Sequence, residues 1–199
     1  MKMKIQMQPM GAYQTNCYIV TIDEKDFIID PGVGATEWVV SRVKNPVAIL
    51  NTHGHFDHVW SNAELKKRLN VPIYCPEGDV FMLEKDPFSQ GTPPSRADVA
   101  VAPDETVLIE GIGMKFLHFP GHTPGTSAIE IGDAWFCGDF LFRGSIGRVD
   151  FPYSDPEAMK KSLKRAMEYP KNVTLHPGHG PNSTLEAEKR VIPYWIKVI

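Results

Sequence analysis

The sequence has few cysteines and no long apolar segment. Its three cysteines, Cys17, Cys75 and Cys137, are widely spaced and form no CxxC pair, which is typical of reduced thiols rather than of a disulfide framework. No apolar run approaches the roughly 18 to 20 residues that span a bilayer. The start, MKMKIQMQPM, has lysines but lacks the apolar stretch of a signal peptide. These absences predict a cytoplasmic protein whose cysteines are small buried hydrophobic residues.

An excess of basic charge is also missing. The formal net charge is −3, and the densest basic run, Lys160, Lys161, Lys164 and Arg165, has the spacing of a solvated helix face. Nucleic acid is therefore a poor candidate for a partner. The sequence has no short-period repeat and no low-complexity segment. Its 199 residues suit one domain over residues 1–199.

Strand-type and helix-type segments alternate along the chain. Apolar runs predict strands at 16–22, 26–30, 47–51, 71–75 and 173–177, and four successive strands between 105 and 138. Helices are predicted over 36–44, 61–70, 76–85 and 155–169, and from Ser183 onward. Ser61 is expected to cap its helix, with Glu64 completing a capping box. Residues 86–98, rich in proline and polar groups, predict a long loop of the kind that often forms a lid. Two sheets with helices outside them are the economical arrangement.

The most informative segment is HGHFDH, residues His53 to His58, which lies between the strand predicted at 47–51 and the helix predicted at 61–70. A loop at the end of a strand lies on a rigid scaffold, where side chains can converge on a ligand. Three imidazoles and one carboxylate so close together are costly to desolvate in a structural role; the alternative is an exposed polar loop. Histidine and aspartate are ligands that suit zinc and similar divalent ions. The segment therefore predicts a metal site.

Three isolated candidates could complete such a site. The segments PGHTPG, CGDF and PGHG contain His122, Asp139 and His179. Glycine and proline around these residues predict tight turns beyond the ends of strands. A ligand in a fixed turn has little conformational entropy left to lose when it binds a metal. The three residues are therefore expected to join the metal site.

Taken in order, THGHFDH, PGHTPG, the GD at a strand end and PGHG resemble the metallo-β-lactamase superfamily along nearly the whole chain. The DPG at 30–32 is a further mark of that superfamily. The resemblance implies an α/β fold, the four-layer αβ/βα metallo-β-lactamase sandwich, with the site at one edge of the two sheets. It also implies that Asp30 orients a metal ligand.

The resemblance further implies two divalent metal ions. His53, His55 and His122 would bind the first ion, Asp57, His58 and His179 the second, and Asp139 would bridge both. Asp57 and Asp139 are thereby the candidate catalytic residues. Zinc is the first expectation, and iron and manganese suit the same ligands. Two such ions held by two carboxylates and a hydroxide keep a net positive charge, which makes bound water acidic.

Two other histidines and two arginines stand near these motifs. His118 lies in a predicted apolar strand, and His176 lies just before the last motif. Both are expected to have structural or hydrogen-bonding roles. Arg143 and Arg148 follow the GD motif. They either grip a substrate carboxylate as bidentate donors or are surface charges.

The segment GDFLFRGSIGRVDFPYSDPEAM at 138–159 resembles the small, single-domain hydrolases related to glyoxalase II, which cleaves S-D-lactoylglutathione to D-lactate and glutathione. The resemblance implies a hydroxyacylglutathione hydrolase-like thioesterase, in which a metal-bridging hydroxide attacks the thioester carbonyl. The implied partner is a small-molecule thioester, with no nucleic acid and no membrane, and the oligomeric state stays open. Full-length glyoxalase II enzymes continue into a helical C-terminal domain that helps to hold glutathione, and no such domain is expected here.

Other activities of the superfamily fit the sequence less well. An aspartate in the bridging position argues against the antibiotic-cleaving β-lactamases, and HGHFDH departs from the flavodiiron pattern. Persulfide dioxygenases, which are mononuclear non-haem iron enzymes, share a GR(T/V)DF motif, but they depart from the GHG around His179. A lactonase or another small acyl hydrolase stays open as an alternative.

Overall fold

A computed structural model describes residues 3–199 and contains two six-stranded sheets. The first sheet consists of β1 (Met3–Met10), β2 (Thr15–Ile22), β3 (Lys25–Ile29), β4 (Pro46–Leu50), β5 (Ile73–Pro76) and β6 (Val99–Val101), in that spatial order. Later strands are β7 (Thr106–Ile109), β8 (Ile112–His118), β9 (Ser127–Ile131), β10 (Ala134–Gly138), β11 (Leu141–Phe142), β12 (Ser145–Ile146), β13 (Thr174–Pro177) and β14 (Ser183–Thr184). The second sheet has the order β14-β13-β10-β9-β8-β7, and β11 and β12 form a separate hairpin.

The helices connect these strands. They are α1 (Ala35–Arg42), α2 (Phe56–Val59), α3 (Asn62–Leu69), α4 (Val80–Lys85), α5 (Pro156–Glu168), α6 (Leu185–Glu188) and α7 (Ile192–Val198), and a 3₁₀ turn at Glu77–Asp79 precedes α4. Helix α5 begins where the Asp155 carboxylate accepts hydrogen bonds from the amides of Glu157 and Ala158. It ends before Tyr169, which precedes Pro170 and is extended. None of the helices formed by residues 3–199 is long and apolar enough to cross a membrane.

Three apolar clusters fill the spaces between the four layers of the molecule. Because successive residues of a strand point to opposite faces, Phe27 and Phe136 pack between the two sheets while their neighbours Ile28 and Trp135 face outward. The outer face of the first sheet packs against α1 and α3, and that of the second packs against α5 and α7. The result is the expected four-layer αβ/βα sandwich. Cys17, Cys75 and Cys137 are buried within it as free thiols.

The strand directions bring the predicted motifs to one edge. Strands β3 and β4 are parallel, and so are β10 and β13, so the loops that follow each pair leave the same end of a sheet. DPG and HGHFDH follow β3 and β4, while GD and PGHG follow β10 and β13. Backbone hydrogen bonds join the two sheets at this edge, from Ser127 N–H to Thr52 O (2.9 Å) and from Asn16 N–H to Gly178 O (2.7 Å).

The structure differs from the sequence-based expectation in several places. It contains short elements that are not predicted, α2, β6, β11 and β12, and the segment predicted as a helix over 76–85 begins with the end of β5 and a 3₁₀ turn. Residues Met3–Met10 form an additional edge strand that pairs with the full length of β2. Ser61 does not form the expected capping box, because its hydroxyl donates to Gly32 O (2.7 Å) and α3 begins at Asn62 without a side-chain cap. The segment from Ser183 forms a short strand and two helices instead of one helix. Pro193, which lacks an amide hydrogen, lies in the first turn of α7 and starts a new helix there.

Candidate metal centre

The seven side chains predicted as metal ligands lie together at the shared edge of the sheets. Two groups of them each have ligand atoms within 4.8 Å of one another: His53, His55 and His122 form the first group, and Asp57, His58 and His179 the second. Each group contains residues from both sheets. The first group comes from the loops after β4 and β8, and the second from the loops after β4 and β13. The division matches the two sets that the resemblance implies.

Asp139 lies between the two groups. Its Oδ1 is 3.2 Å from His58 Nε2. Its Oδ2 is 3.5 Å from His122 Nε2 and 3.4 Å from His179 Nε2. One carboxylate therefore faces histidines of the first and of the second group, which is the position that a bridging ligand needs.

The centre contains buried polar atoms that no protein group satisfies. Within the described residues, the Nε2 atoms of His53, His55, His58 and His122 and the Oδ1 atom of Asp139 have no hydrogen-bond partner. Each such atom costs about 1–3 kcal/mol when it is buried without a partner. Divalent cations bind lone pairs of this kind, and imidazole nitrogen and carboxylate oxygen suit zinc, iron and manganese. The donor set therefore fits a metal centre.

Backbone carbonyls orient two of the histidines. His122 Nδ1–H donates to Arg148 O (2.8 Å), and His179 Nδ1–H donates to Tyr13 O (3.0 Å). A carbonyl oxygen can only accept, so the proton of each neutral ring lies on Nδ1 and the Nε2 lone pair faces the centre.

Asp30 orients one histidine from each group. Its Oδ2 lies 2.9 Å from His58 Nδ1 and accepts the Thr52 hydroxyl proton at 2.6 Å. Because Thr52 gives its only hydroxyl proton to Asp30, its oxygen accepts from His53 Nδ1 at 3.0 Å. The Thr52 amide also donates to Asp30 Oδ1 (2.8 Å). A single buried carboxylate thus aims His58 directly and His53 through Thr52.

Electrostatic effects divide the histidines into two kinds. Burial, together with the neighbouring His122, lowers the pKa of His55 to about 3. Burial also opposes protonation of His58 and His179, but the carboxylates of Asp57 and Asp139 outweigh it. They hold the pKa of His58 well above its usual range and raise that of His179 to about 9. The two carboxylates therefore attract positive charge strongly, from protons or from a metal cation.

Two glycines allow the second sheet to approach the first at the centre. Gly138 has a positive φ of 48°, and a Cβ there would lie 2.2 Å from Thr52 Oγ1. A Cβ on Gly178 would lie 2.7 Å from His58 Cε1 of the first sheet's loop and 2.2 Å from Asp139 Oδ1. Neither position has room for a side chain, which is the physical reason for glycine in the GD and PGHG motifs.

The remaining candidate residues point elsewhere. His118 Nε2 lies 2.8 Å from Pro124 O, and His176 stacks on Phe136 with ring centres 4.9 Å apart. Neither histidine joins a ligand group of the described residues. The Arg143 guanidinium donates to Asn182 O, and Arg143 is not among the residues that line the pocket next to the centre.

A pocket of about 700 Å³ opens onto the centre. His55, Asp57 and His179 contribute to its lining at the metal centre. The loop predicted over 86–98 supplies one wall through residues 87–90. A substrate in this pocket would have its reacting bond next to both ligand groups.

Aromatic rings and one arginine give the pocket its chemical character. Phe88 and Phe151 contact the His55 ring edge-on, with centres 4.9 Å and 5.9 Å away. The Arg148 guanidinium lies over Phe151 at 4.3 Å and forms a bidentate pair with exposed Asp150. Among the described residues that line the pocket, Arg148 is the one lysine or arginine. The pocket therefore offers apolar walls and one site for an anionic group.

Two supporting residues escape the sequence analysis. The Thr15 hydroxyl donates to Asp57 Oδ2 (2.7 Å), and the buried Asp79 contacts the loops around His55 and His122. Thr15 lies at the start of a strand and Asp79 in a segment predicted as helix. Neither carries a local pattern that distinguishes it from an ordinary surface residue.

A family model described as the metallo-beta-lactamase superfamily matches residues 10–179, which is most of the chain. The chain belongs to the metallo-beta-lactamase superfamily. Metal-dependent hydrolysis is the activity of this superfamily, and the histidine and aspartate cluster supplies the ligand types that such hydrolysis requires.

Individual members of the superfamily resemble the chain over nearly its full length. Hydroxyacylglutathione hydrolase GloC of Haemophilus influenzae is 36% identical over 211 residues, covering 96% of this chain and 98% of that protein. The structure of TTHA1623 in a di-iron-bound form has a TM-score of 0.82 at 35% identity, covering 95% of this chain and 99% of that one. The structure of the BLEG-1 B3 metallo-beta-lactamase has a TM-score of 0.86 at 27% identity, with coverages of 96% and 99%.

Proposed function

We propose that this member of the superfamily is a thioester hydrolase with two divalent metal ions, and that it cleaves S-D-lactoylglutathione to D-lactate and glutathione. The observation that carries the proposal is the position of Asp139, between two groups of ligand atoms next to an open pocket. The similarity to a hydroxyacylglutathione hydrolase over 96% of the chain supports the choice of substrate.

The proposed ligands follow the two groups. His53, His55 and His122 would hold the first ion and Asp57, His58 and His179 the second. Asp139, which faces histidines of both groups, would contribute to each. Zinc is the first candidate, and the di-iron form of a relative 35% identical supports a test of iron beside it. When bound, the two ions supply Lewis acidity and lower the pKa of water to about 7, which provides a nucleophile at neutral pH.

The side chains around the centre hold the substrate and exclude competing water. The thioester lies beside His55, Asp57 and His179, and Phe88 and Phe151 shield it from solvent. A peptide carboxylate of the thiol half reaches Arg148, which exchanges its exposed partner Asp150 for the substrate. The pocket thereby orients the thioester carbonyl toward the centre. Such positioning of the reacting groups lowers the activation barrier of hydrolysis.

Metal content and turnover test the proposal together. Protein expressed with zinc or iron is expected to contain two ions per chain by elemental analysis and to cleave S-D-lactoylglutathione, followed as loss of thioester absorbance. Parallel assays use a lactone, a β-lactam and, for the iron form, glutathione persulfide with oxygen-uptake measurement. One ion per chain with His179 unligated contradicts the binuclear centre. Cleavage of the lactone or β-lactam without thioester cleavage, or oxygen consumption without hydrolysis, reassigns the substrate class.

A further inference from the structure

One buried carboxylate outside the ligand set joins the two loops that carry the first group of histidines. Asp79, the fully buried last residue of the 3₁₀ turn before α4, accepts through Oδ2 from the Gly54 amide at 2.9 Å and from the Thr123 hydroxyl at 2.6 Å. Its Oδ1 accepts from the Gly125 amide at 2.7 Å. Gly54 separates His53 from His55, and Thr123 directly follows His122.

Each of the two loops brings a glycine close to Asp79. A Cβ on Gly54 would lie 2.9 Å from the Asp79 carbonyl oxygen, and a Cβ on Gly125 would lie 2.8 Å from its Cγ. Both glycines therefore bring backbone against Asp79 where a side chain would clash. Asp79 lies directly between the two loops, and its three hydrogen bonds link them.

Within residues 3–199, only hydrogen-bond donors contact the side-chain oxygens of Asp79. All three of its contacts are N–H or O–H groups, and it forms no ion pair with a cationic residue of the described chain. Burial raises the pKa of Asp79 above its usual range, and the hydrogen bonds from the Thr123 hydroxyl and the two amides offset this only in part. The two amides can only donate, so both carboxylate oxygens of Asp79 act as acceptors.

The second group of ligands has separate supports. Asp30 contacts His58, Thr15 contacts Asp57, and the Tyr13 carbonyl contacts His179. Asp79 forms no hydrogen bond to any of these residues. A change at Asp79 should therefore weaken the binding of the first metal ion and leave the affinity for the second unchanged.

We propose that Asp79 is a positioning residue for the first metal ion, holding the loops of His55 and His122 at the separation that lets both rings share one cation. The inference rests on the ligand set proposed above. Partners behind metal ligands typically change metal affinity by about 10- to 100-fold when they are removed. Asp79→Asn keeps the shape but places an amide N–H₂ against at least one N–H or O–H donor, so the loops separate.

The chain offers a matched control in Asp26. That carboxylate is also buried and also accepts from two amides, of Lys44 and Asn45, and from one hydroxyl, of Thr21. It lies at the start of β3, whereas the metal centre follows the end of that strand. Asp26→Asn therefore reproduces the cost of neutralising a buried, hydrogen-bonded carboxylate without touching the loops of the centre.

Titration of metal-free protein with Co²⁺ against a competing chelator measures each site separately, and the absorption bands of bound Co²⁺ report its coordination. The parent and Asp26→Asn are each expected to bind two ions, and each site should have the same affinity in both proteins. Asp79→Asn should weaken one site by about 10- to 100-fold and leave the other within about twofold. The weakened site should have the bands that are also lost in His122→Ala, while the retained site should have those lost in His179→Ala.

Each result has a definite meaning. A parent that binds one ion contradicts the proposed binuclear function; if that ion has the bands lost in His122→Ala, its weakening in Asp79→Asn still tests the positioning role. A parent with two ions and an Asp79→Asn variant with unchanged or equally weakened sites overturns the positioning role alone. If Asp79→Asn does not fold, Thr123→Val decides, because it removes only one of the three donors and should weaken the same single site more mildly.

Discussion

His58 Nε2 lies 3.2 Å from Asp139 Oδ1, although the two residues follow strands of different sheets. The other carboxylate oxygen of Asp139 faces His122 and His179 at 3.5 Å and 3.4 Å. This one side chain therefore joins the two ligand groups, and its charge would hold together the two cations of the proposed centre.

The first prediction concerns that charge. Asp139→Asn keeps the size of the side chain and replaces one oxygen by an amide nitrogen that cannot bind a metal. We expect thioester hydrolysis to fall by several orders of magnitude and metal content to fall below two ions per chain, with the circular dichroism spectrum unchanged. Near-normal turnover in this variant would refute the bridging role.

The second prediction separates ligands from other histidines. His122→Ala and His179→Ala should lose bound metal and most activity, because their Nε2 atoms face the centre. His118→Ala and His176→Ala should keep both ions and lose mainly thermal stability, because these rings contact Pro124 O and Phe136 instead. Elemental analysis and melting curves of the four proteins provide the measurement. Equal metal loss in all four would show that the ligand set is misassigned.

The third prediction concerns stability at acidic pH. Burial lowers the pKa of His176, so the unfolded chain binds a proton that the folded protein does not as the pH falls through about 6.5. Stability therefore falls with decreasing pH, by at most about 1.4 kcal/mol per pH unit for one proton. His176→Phe should show a shallower loss of unfolding free energy than the parent between pH 7 and pH 5. Parallel urea-denaturation curves test this, and identical slopes would exclude the contribution of His176.

The fourth prediction distinguishes two arginines in the same segment. Arg148 lines the pocket, whereas the Arg143 guanidinium donates to Asn182 O outside it. Arg148→Ala should raise KM for S-D-lactoylglutathione by up to about tenfold, the equivalent of about 1.4 kcal/mol, with little change in kcat. The Arg148 carbonyl that holds His122 is part of the backbone and remains. Arg143→Ala is the control with unchanged KM, and equal effects of both variants would contradict a specific role for Arg148.

Much of the fold follows from local patterns in the sequence. Apolar runs bounded by turns predict β2, β3, β4 and β13, and the capped amphipathic segment after Asp155 predicts α5, because in each case neighbouring residues agree on one period. Strand β1 is not predicted, although Met3, Ile5 and Met7 alternate with polar residues. Four of its eight residues are exposed and Met10 is its one buried residue, and its backbone pairs with β2. The capping box at Ser61 fails because a tertiary partner, Gly32 O, takes the hydroxyl.

The sequence by itself determined the chemistry of the centre. Histidines and aspartates in HGHFDH, PGHTPG, CGDF and PGHG are a set whose residue types suit a divalent metal and whose glycines require tight turns. Only the tertiary structure decided which of these atoms meet. The position of Asp139 between two groups, the carbonyls that orient His122 and His179, and the junction at Asp79 all join segments far apart in the chain. A local pattern cannot encode such contacts, because they depend on how two separately formed sheets pack edge against edge.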